Sequence, residues 1–270
     1  MNGSELWNYL FQPPLEGRIT DCLILIAHPP RILYICRPMA QKKLVRFAQL
    51  KTFTNTLEYP QDMAGNWHKF FKNEAPIVLE LACGRGEYTV GLARMHPDKN
   101  FIGVDVKGHR MCLGAKTCLQ EGLQNAGFLR TQIEKLPDYF APGEVNEIWI
   151  TFPDPQLRTS KARKRLIHPQ FLRLYQQVLV AGGSIHLKTD SPKLYAFTRR
   201  VANLYGLNIV EAMDDVYSVP HKDELDIKTH YEALDIAQSN KIYYLHFTLP
   251  ALLPDIDDAL QEELKITELN

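Results

Sequence analysis

Residues 147–165 read Glu-Ile-Trp-Ile-Thr-Phe-Pro-Asp-Pro-Gln-Leu-Arg-Thr-Ser-Lys-Ala-Arg-Lys-Arg. Ile148, Trp149, Ile150 and Phe152 are β-branched or aromatic, dense enough for a buried parallel strand. Pro153 and Pro155 then flank Asp154. Each proline lacks an amide hydrogen and pushes the preceding residue out of the helical region, so the strand ends there. The outcome is a carboxylate on a stiff loop at the carboxyl end of a strand, where open α/β sheets bind ligands. Five cations follow within eight residues: Arg158, Lys161, Arg163, Lys164 and Arg165. An acid on a rigid turn beside a cationic run points to chemistry on a phosphate-bearing substrate. The same residues also satisfy a plainer reading, a Pro-Asp-Pro turn followed by a solvated helix start.

Upstream, strands ending in acids recur. Ile77 to Leu81 is a short apolar strand interrupted by Glu80, followed by Gly84-Arg85-Gly86 and a helical run from Glu87 to Met95. Glycines allow close backbone approach, and the following helix presents free amides. Thr89 stands at the third position of the dinucleotide fingerprint, where Gly or Ala is expected, so the glycine pair alone is a weak signal. Phe101 to Asp105 strengthens it: this strand ends in an acid 19 residues after Gly86, placed to accept hydrogen bonds from ribose hydroxyls. A third unit runs through Cys112 to Glu121 and Phe128 to Arg130, with Thr131 and Gln132 ending the strand.

Downstream, Pro169 to Leu179 carries apolar residues at helical spacing and reads as core, with Ala181-Gly182-Gly183 as its stop. Ser184 to Asp190 is a further strand ending in an acid, on which His186, between Ile185 and Leu187, reads as a packed histidine rather than a ligand. Lys193 to Tyr205 is an amphipathic helix, and Leu207 to Glu211 and Lys241 to Phe247 read as terminal strands. These alternating units predict an α/β protein with a Rossmann-like, doubly wound, mostly parallel seven-stranded sheet.

At 270 residues, 45% hydrophobic and 23% charged, the chain matches one ordinary globular core with appended segments. The net charge is zero, so attraction to nucleic acid must come from local patches. Lys42 to Lys51, basic with interleaved Leu44, Phe47 and Leu50, fits a nucleic-acid arm, but the stretch alone reads first as a solvated helix edge. Five cysteines without metal-ligand spacing fit a reducing cytoplasm, and no metal site is expected. The apolar run Cys22 to Ala27 is too short to span a bilayer. Residues 1–38 are proline-punctuated and aperiodic, and are expected to be a mis-assigned start or a loosely attached extension. Residues 39–249 are then expected to form the main domain, and 250–270 an acidic, helix-prone, loosely packed tail.

Taken together, Leu79-Glu-Leu-Ala-Cys-Gly-Arg-Gly86, Phe101-Ile-Gly-Val-Asp105, Phe152-Pro-Asp-Pro155, the basic run to Leu166, Gly182-Gly183, Thr189-Asp190 and Lys228-Thr-His-Tyr-Glu232 resemble the bacterial tRNA (guanine-N7-)-methyltransferases. The resemblance covers about residues 39–249 and implies a class I methyltransferase fold, a cytoplasmic monomer or homodimer, and a guanine in the tRNA variable loop as acceptor. It places S-adenosylmethionine against Glu80, Gly84, Asp105, Thr131 and Asp154, with Asp154 as the functional carboxylate near the transferred methyl. Arg158, Asp190, Thr229, His230, Tyr231 and Glu232 are implied to hold the RNA or the target guanine. Three positions depart from the family pattern. Gln156 stands where many members have Trp, Arg158 replaces the usual Lys, and Thr131 sits where others carry an acid or amide.

Guanine N7 carries an exposed lone pair and no proton, so this reaction needs no general base. Positioning dominates, and a carboxylate gains interaction as the purine becomes cationic. Asp154 can serve that role or hydrogen-bond the N1/N2 edge of guanine. Methyl transfer to another RNA acceptor, a nicotinamide oxidoreductase on the same fold, and a non-catalytic RNA-binding protein with a relic pocket are the competing readings.

Overall fold

A computed structural model of the chain describes residues 38–268, apart from 235–237 and 239. The expectation about the first 38 residues lies, for 1–37, outside those described. Eight strands form one sheet: β1 (Thr56–Glu58), β2 (Ile77–Leu81), β3 (Asn100–Asp105), β4 (Ala126–Arg130), β5 (Val145–Thr151), β6 (Leu179–Thr189), β7 (Asn208–Met213) and β8 (Tyr243–Thr248). Their spatial order is β1-β4-β3-β2-β5-β6-β8-β7, with β8 antiparallel to both its neighbours. This is the doubly wound, mostly parallel sheet expected, with one strand more than seven. The extra strand, β1, is three residues long and pairs only with β4, too short to leave a periodic signature.

The chain winds outward from β2 and returns to β5, so the switch point lies between these two neighbours. Ligands of such sheets bind in the crevice at that reversal. Register pairs carry one row across five strands: Leu129, Val104, Leu81, Ile150 and Leu187. The next residues along the strands, including Asp105, Thr151 and Lys188, therefore emerge at one edge.

Alternation sends neighbouring residues to opposite faces. Leu79, Ile102, Ile148, Ile185 and Phe247 join one cluster with α5 (Pro169–Val178) and α6 (Pro192–Tyr205). Val78, Phe101, Phe128, Trp149 and Tyr244 join the other with α3 (Glu87–Met95) and α4 (Gly108–Glu121). Two earlier helices, α1 (Pro38–Leu50) and α2 (Trp67–Phe71), contribute Leu50 to the second cluster and Trp67 and Phe71 to the first. His186 is core, as expected: its ring stacks on Trp149 at 4.2 Å and its Nδ1 lies 2.7 Å from the Tyr244 hydroxyl.

Two expectations are corrected. Ala181-Gly182-Gly183 does not cap a helix; α5 ends at Val178, Leu179 is already extended, and the glycines lie in β6. There Val145 pairs with Leu179 but Glu147 with Ser184, a bulge that lets Gly182 adopt φ +73°. The tail is not loose. Leu253, Leu260 and Leu264 are buried in the first cluster, and α7 (Asp257–Glu268) is pinned where Arg173 donates to both oxygens of Asp257 at 2.8 and 3.0 Å. Leu260 and Leu264, four apart, form an apolar stripe that the acidic composition conceals.

Candidate active site

The turn after β2 is built from beneath by Glu80, which is buried. Its Oε2 accepts the Thr89 amide at 2.7 Å and the Thr89 hydroxyl at 2.5 Å, while Oε1 accepts the Thr151 hydroxyl at 3.0 Å. One carboxylate thus ties β2, α3 and β5 together at the switch point. Burial pushes its pKa up to about 7, against the opposing pull of those hydrogen bonds.

The two loop glycines do different work. At Gly86, φ is +76° and a Cβ would stand 2.5 Å from the Phe128 ring, so this glycine lets α3 approach the sheet. Gly84, with φ +57°, would bring a Cβ against Tyr231, 3.3 Å away. Its amide donates to Asp105 Oδ2 at 2.9 Å, and the other oxygen of Asp105 accepts the Lys107 amide at 2.7 Å. Thr131 lies beside them, its amide donating to the Asp105 carbonyl at 3.3 Å. The Thr131 hydroxyl is buried without a hydrogen-bond partner among the described residues, a group that a ligand would satisfy. A glycine turn, an acid at the next strand end and this unpaired hydroxyl fit a nucleoside cofactor.

The Asp154 loop follows β5. Phe152 leaves the strand at φ +47° and Gln156 takes φ +46°, with Asp154 exposed between them. Asp154 Oδ1 accepts the Gln156 amide at 3.1 Å. Arg165 clamps the loop from inside. It is 6% exposed, donates through Nε and Nη2 to the Gln156 carbonyl at 3.2 and 3.0 Å, and lies 4.4 Å from the Phe197 ring centroid. Of the five cations read from the sequence, Arg165 therefore belongs to the scaffold. Arg158, Lys161, Arg163 and Lys164 remain exposed on the short stretch of 3-10 helix, Thr159–Lys164, that Arg158 begins.

A second cationic surface joins α1 to α4. Burial, then the charges of Lys43, Arg110, Arg46 and Lys107, hold the His109 imidazole below its ordinary pKa. Lys43 and Arg46 thus share their surroundings with the start of α4.

The late segment closes over the same edge. Thr229 is buried, and its hydroxyl accepts the Glu232 amide at 3.1 Å. Tyr231 lies against Gly84, and the Arg110 guanidinium stands 5.6 Å from its ring centroid. His230 meets Tyr231 edge-on at 5.7 Å. The Glu232 side chain is only 7% exposed; it is paired with Lys188 and Lys228, each at 3.1 Å, and accepts the Tyr217 hydroxyl in a short hydrogen bond.

Gly84, Asp105 and Thr131 thus form one group, and Thr229, Tyr231 and Glu232 a second that touches the first through Tyr231. Asp154 and Arg158 stand on a separate loop, rooted beside the second group because the Phe152 amide donates to the Lys188 carbonyl at 2.8 Å. Asp190, half-buried, follows β6 directly. Lys188, Tyr217 and Thr151 are not among the residues that the sequence singles out, and Arg165 is there only as one of the cationic run. A lysine between Leu187 and Thr189 in an apolar strand was the available signal for the first. Among the described residues no group of His, Cys, Asp and Glu is arranged to hold a metal, and no helix is long and apolar enough to cross a membrane.

A family model described as "Putative methyltransferase" matches residues 74–245, which include β2 through β7 and the start of β8. A tRNA (guanine-N(7)-)-methyltransferase of Bacteroides fragilis is 48% identical over 222 residues, covering 78% of this chain and 87% of that protein. Another from Porphyromonas gingivalis is 50% identical over 213 residues, covering 74% and 86%. Among solved structures, the 16S rRNA methyltransferase KamB superposes with TM-score 0.52 at 16% identity, over 72% of this chain and 96% of that one, a likeness of fold alone. With close to half its residues shared over most of both chains, the protein belongs to the tRNA (guanine-N(7)-)-methyltransferase family.

Proposed function

We propose that the protein transfers a methyl group from S-adenosylmethionine to N7 of a guanine in tRNA. The observation that carries this reading is the convergence, at the β2/β5 switch point, of a glycine turn bonded to a strand-end acid with a proline-braced carboxylate loop. Membership of the family supports the same activity.

Bound S-adenosylmethionine supplies a methyl on a sulfonium, which leaves without protonation. Asp105 and the Thr131 hydroxyl would hold the cofactor's nucleoside, and the Gly84 turn would lie against it. Glu80 holds that turn against α3 and β5. Asp154 meets the guanine, whose purine gains positive charge as the bond to N7 forms, so its carboxylate attracts the transition state more than the ground state. Thr229 to Glu232 and Asp190 orient the base, and His230 and Tyr231 wall the site. Arg158, Lys161, Arg163 and Lys164 meet phosphates, with Lys42, Lys43 and Arg46 as a second contact.

The test is incubation of the purified full chain with bulk tRNA and methyl-labelled S-adenosylmethionine. N7-methylguanosine in the digest, and strand scission at one site after borohydride reduction and aniline, are expected. Label without scission overturns the N7 assignment. No label overturns the enzymatic reading.

A further inference from the structure

Lys188 has a fully buried side chain near the carboxyl end of β6, at the level of Thr151. Its ammonium shares three hydrogens among four acceptors within reach: the Leu225 carbonyl at 2.7 Å, the Ile227 carbonyl at 3.2 Å, the Tyr217 hydroxyl at 3.2 Å and Glu232 Oε2 at 3.1 Å. The rings of Tyr88, Phe152 and Tyr217 surround it, with centroids 5.5 to 5.6 Å away. Desolvating an ammonium costs several kcal/mol, and an apolar side chain of similar volume is often at least as stabilising as a buried ion pair. Packing alone therefore gives no reason for a lysine here.

Geometry gives one. The side chain of Lys188 holds the segment ending in Glu232, while its backbone carbonyl holds the Phe152 amide at the root of the Asp154 loop. Two elements far apart in sequence are referenced to a single residue. Lys228, from the solvent side, and Tyr217 complete the seat of the Glu232 carboxylate.

We infer that Lys188 is a positioning residue for methyl transfer, fixing Glu232 relative to the Asp154 loop so that both address one guanine. The inference rests on the proposed function, which assigns those two acids to the base. Lys188 acts through Glu232, and that makes its role separable from a general contribution to folding.

The experiment is a double-mutant cycle on kcat/KM for tRNA: wild type, Lys188→Met, Glu232→Gln and the double variant of the full chain, with melting temperatures alongside. Each single substitution is expected to lower kcat/KM about tenfold or more, equivalent to about 1.4 kcal/mol of barrier. The double variant should be no worse than the poorer single one, since residues acting as one unit are not additive. Losses that multiply, or wild-type turnover by Lys188→Met, overturn the inference. If Lys188→Met does not fold, Tyr217→Phe replaces it in the same cycle, removing a hydroxyl in contact with both charges without stranding either. A loss from Tyr217→Phe that persists undiminished beside Glu232→Gln also overturns it. A wild-type chain that makes no N7-methylguanosine sinks the underlying function, whereas an active wild type with multiplying losses sinks only the role of Lys188.

Discussion

Glu80 Oε2 accepts both the amide and the hydroxyl of Thr89, at 2.7 and 2.5 Å. A strand residue thereby anchors the first turns of α3, the helix that follows the glycine loop. Burial lifts this carboxyl from 4.5 to about 7. The folded protein therefore keeps a proton that the unfolded chain releases in that interval. The resulting stability is full below pH 4.5 and is lost as pH rises through about 7, a change of roughly 3 kcal/mol. Glu80→Gln retains an acceptor for Thr89 and cannot ionise. Denaturant unfolding between about pH 5 and 8 should show a flatter stability profile for this variant, with the two proteins converging or crossing at the alkaline end. Parallel profiles would mean that Glu80 does not titrate there.

Asp154→Asn preserves an oxygen for the Gln156 amide and leaves the Arg165 clamp untouched, so the loop keeps its shape. Only the charge is removed. Turnover should fall by about tenfold or more while tRNA affinity changes little, the pattern of an interaction made in the transition state. Wild-type kcat would leave positioning as the whole mechanism.

The cations after the loop should separate into two behaviours. Replacing exposed Lys161 and Lys164 by Ala should weaken tRNA binding and reduce the log-log salt slope by about 0.9 for each duplex phosphate no longer neutralised, with melting unchanged. Arg165→Ala strands the Gln156 carbonyl and empties the space against Phe197. It should lower the melting temperature and activity together, at a cost of about 1–3 kcal/mol. A salt slope unaltered in the double lysine variant would move the RNA footprint elsewhere.

Leu260 lies fully buried on α7. Leu260→Ala should destabilise the protein by about 2–5 kcal/mol in denaturant unfolding, the usual range for a deleted core leucine. Arg173→Ala, which removes the hydrogen bonds to Asp257 and to the Pro254 carbonyl, should act in the same direction. Wild-type stability in both variants would show that α7 is not part of the folded core.

The strands and helices that bear the site were legible in the sequence because local signals agree there. The apolar run before Gly84, the acid ending Phe101 to Asp105 and the prolines around Asp154 each act on their own neighbours, through strand propensity, backbone freedom and fixed φ. Helix α3 is expected at Glu87 to Met95 and is found there. The stop expected at Ala181 to Gly183 is instead a bulge within β6, which depends on the partner strand and which no local pattern encodes. Arg165 reads as one of the cationic run and Glu232 as a residue that holds the substrate, while Lys188 stands in its strand without an expectation of its own. Only the fold brings β6 against the segment from Tyr217 to Glu232, and Arg165 beneath Gln156 beside Phe197, supplying the partners that let these charges be buried. Local signals define which residues end the strands; which of them face a ligand and which hold the others in place depends on contacts between segments distant along the chain, since burying a charge requires a partner that the folded chain supplies.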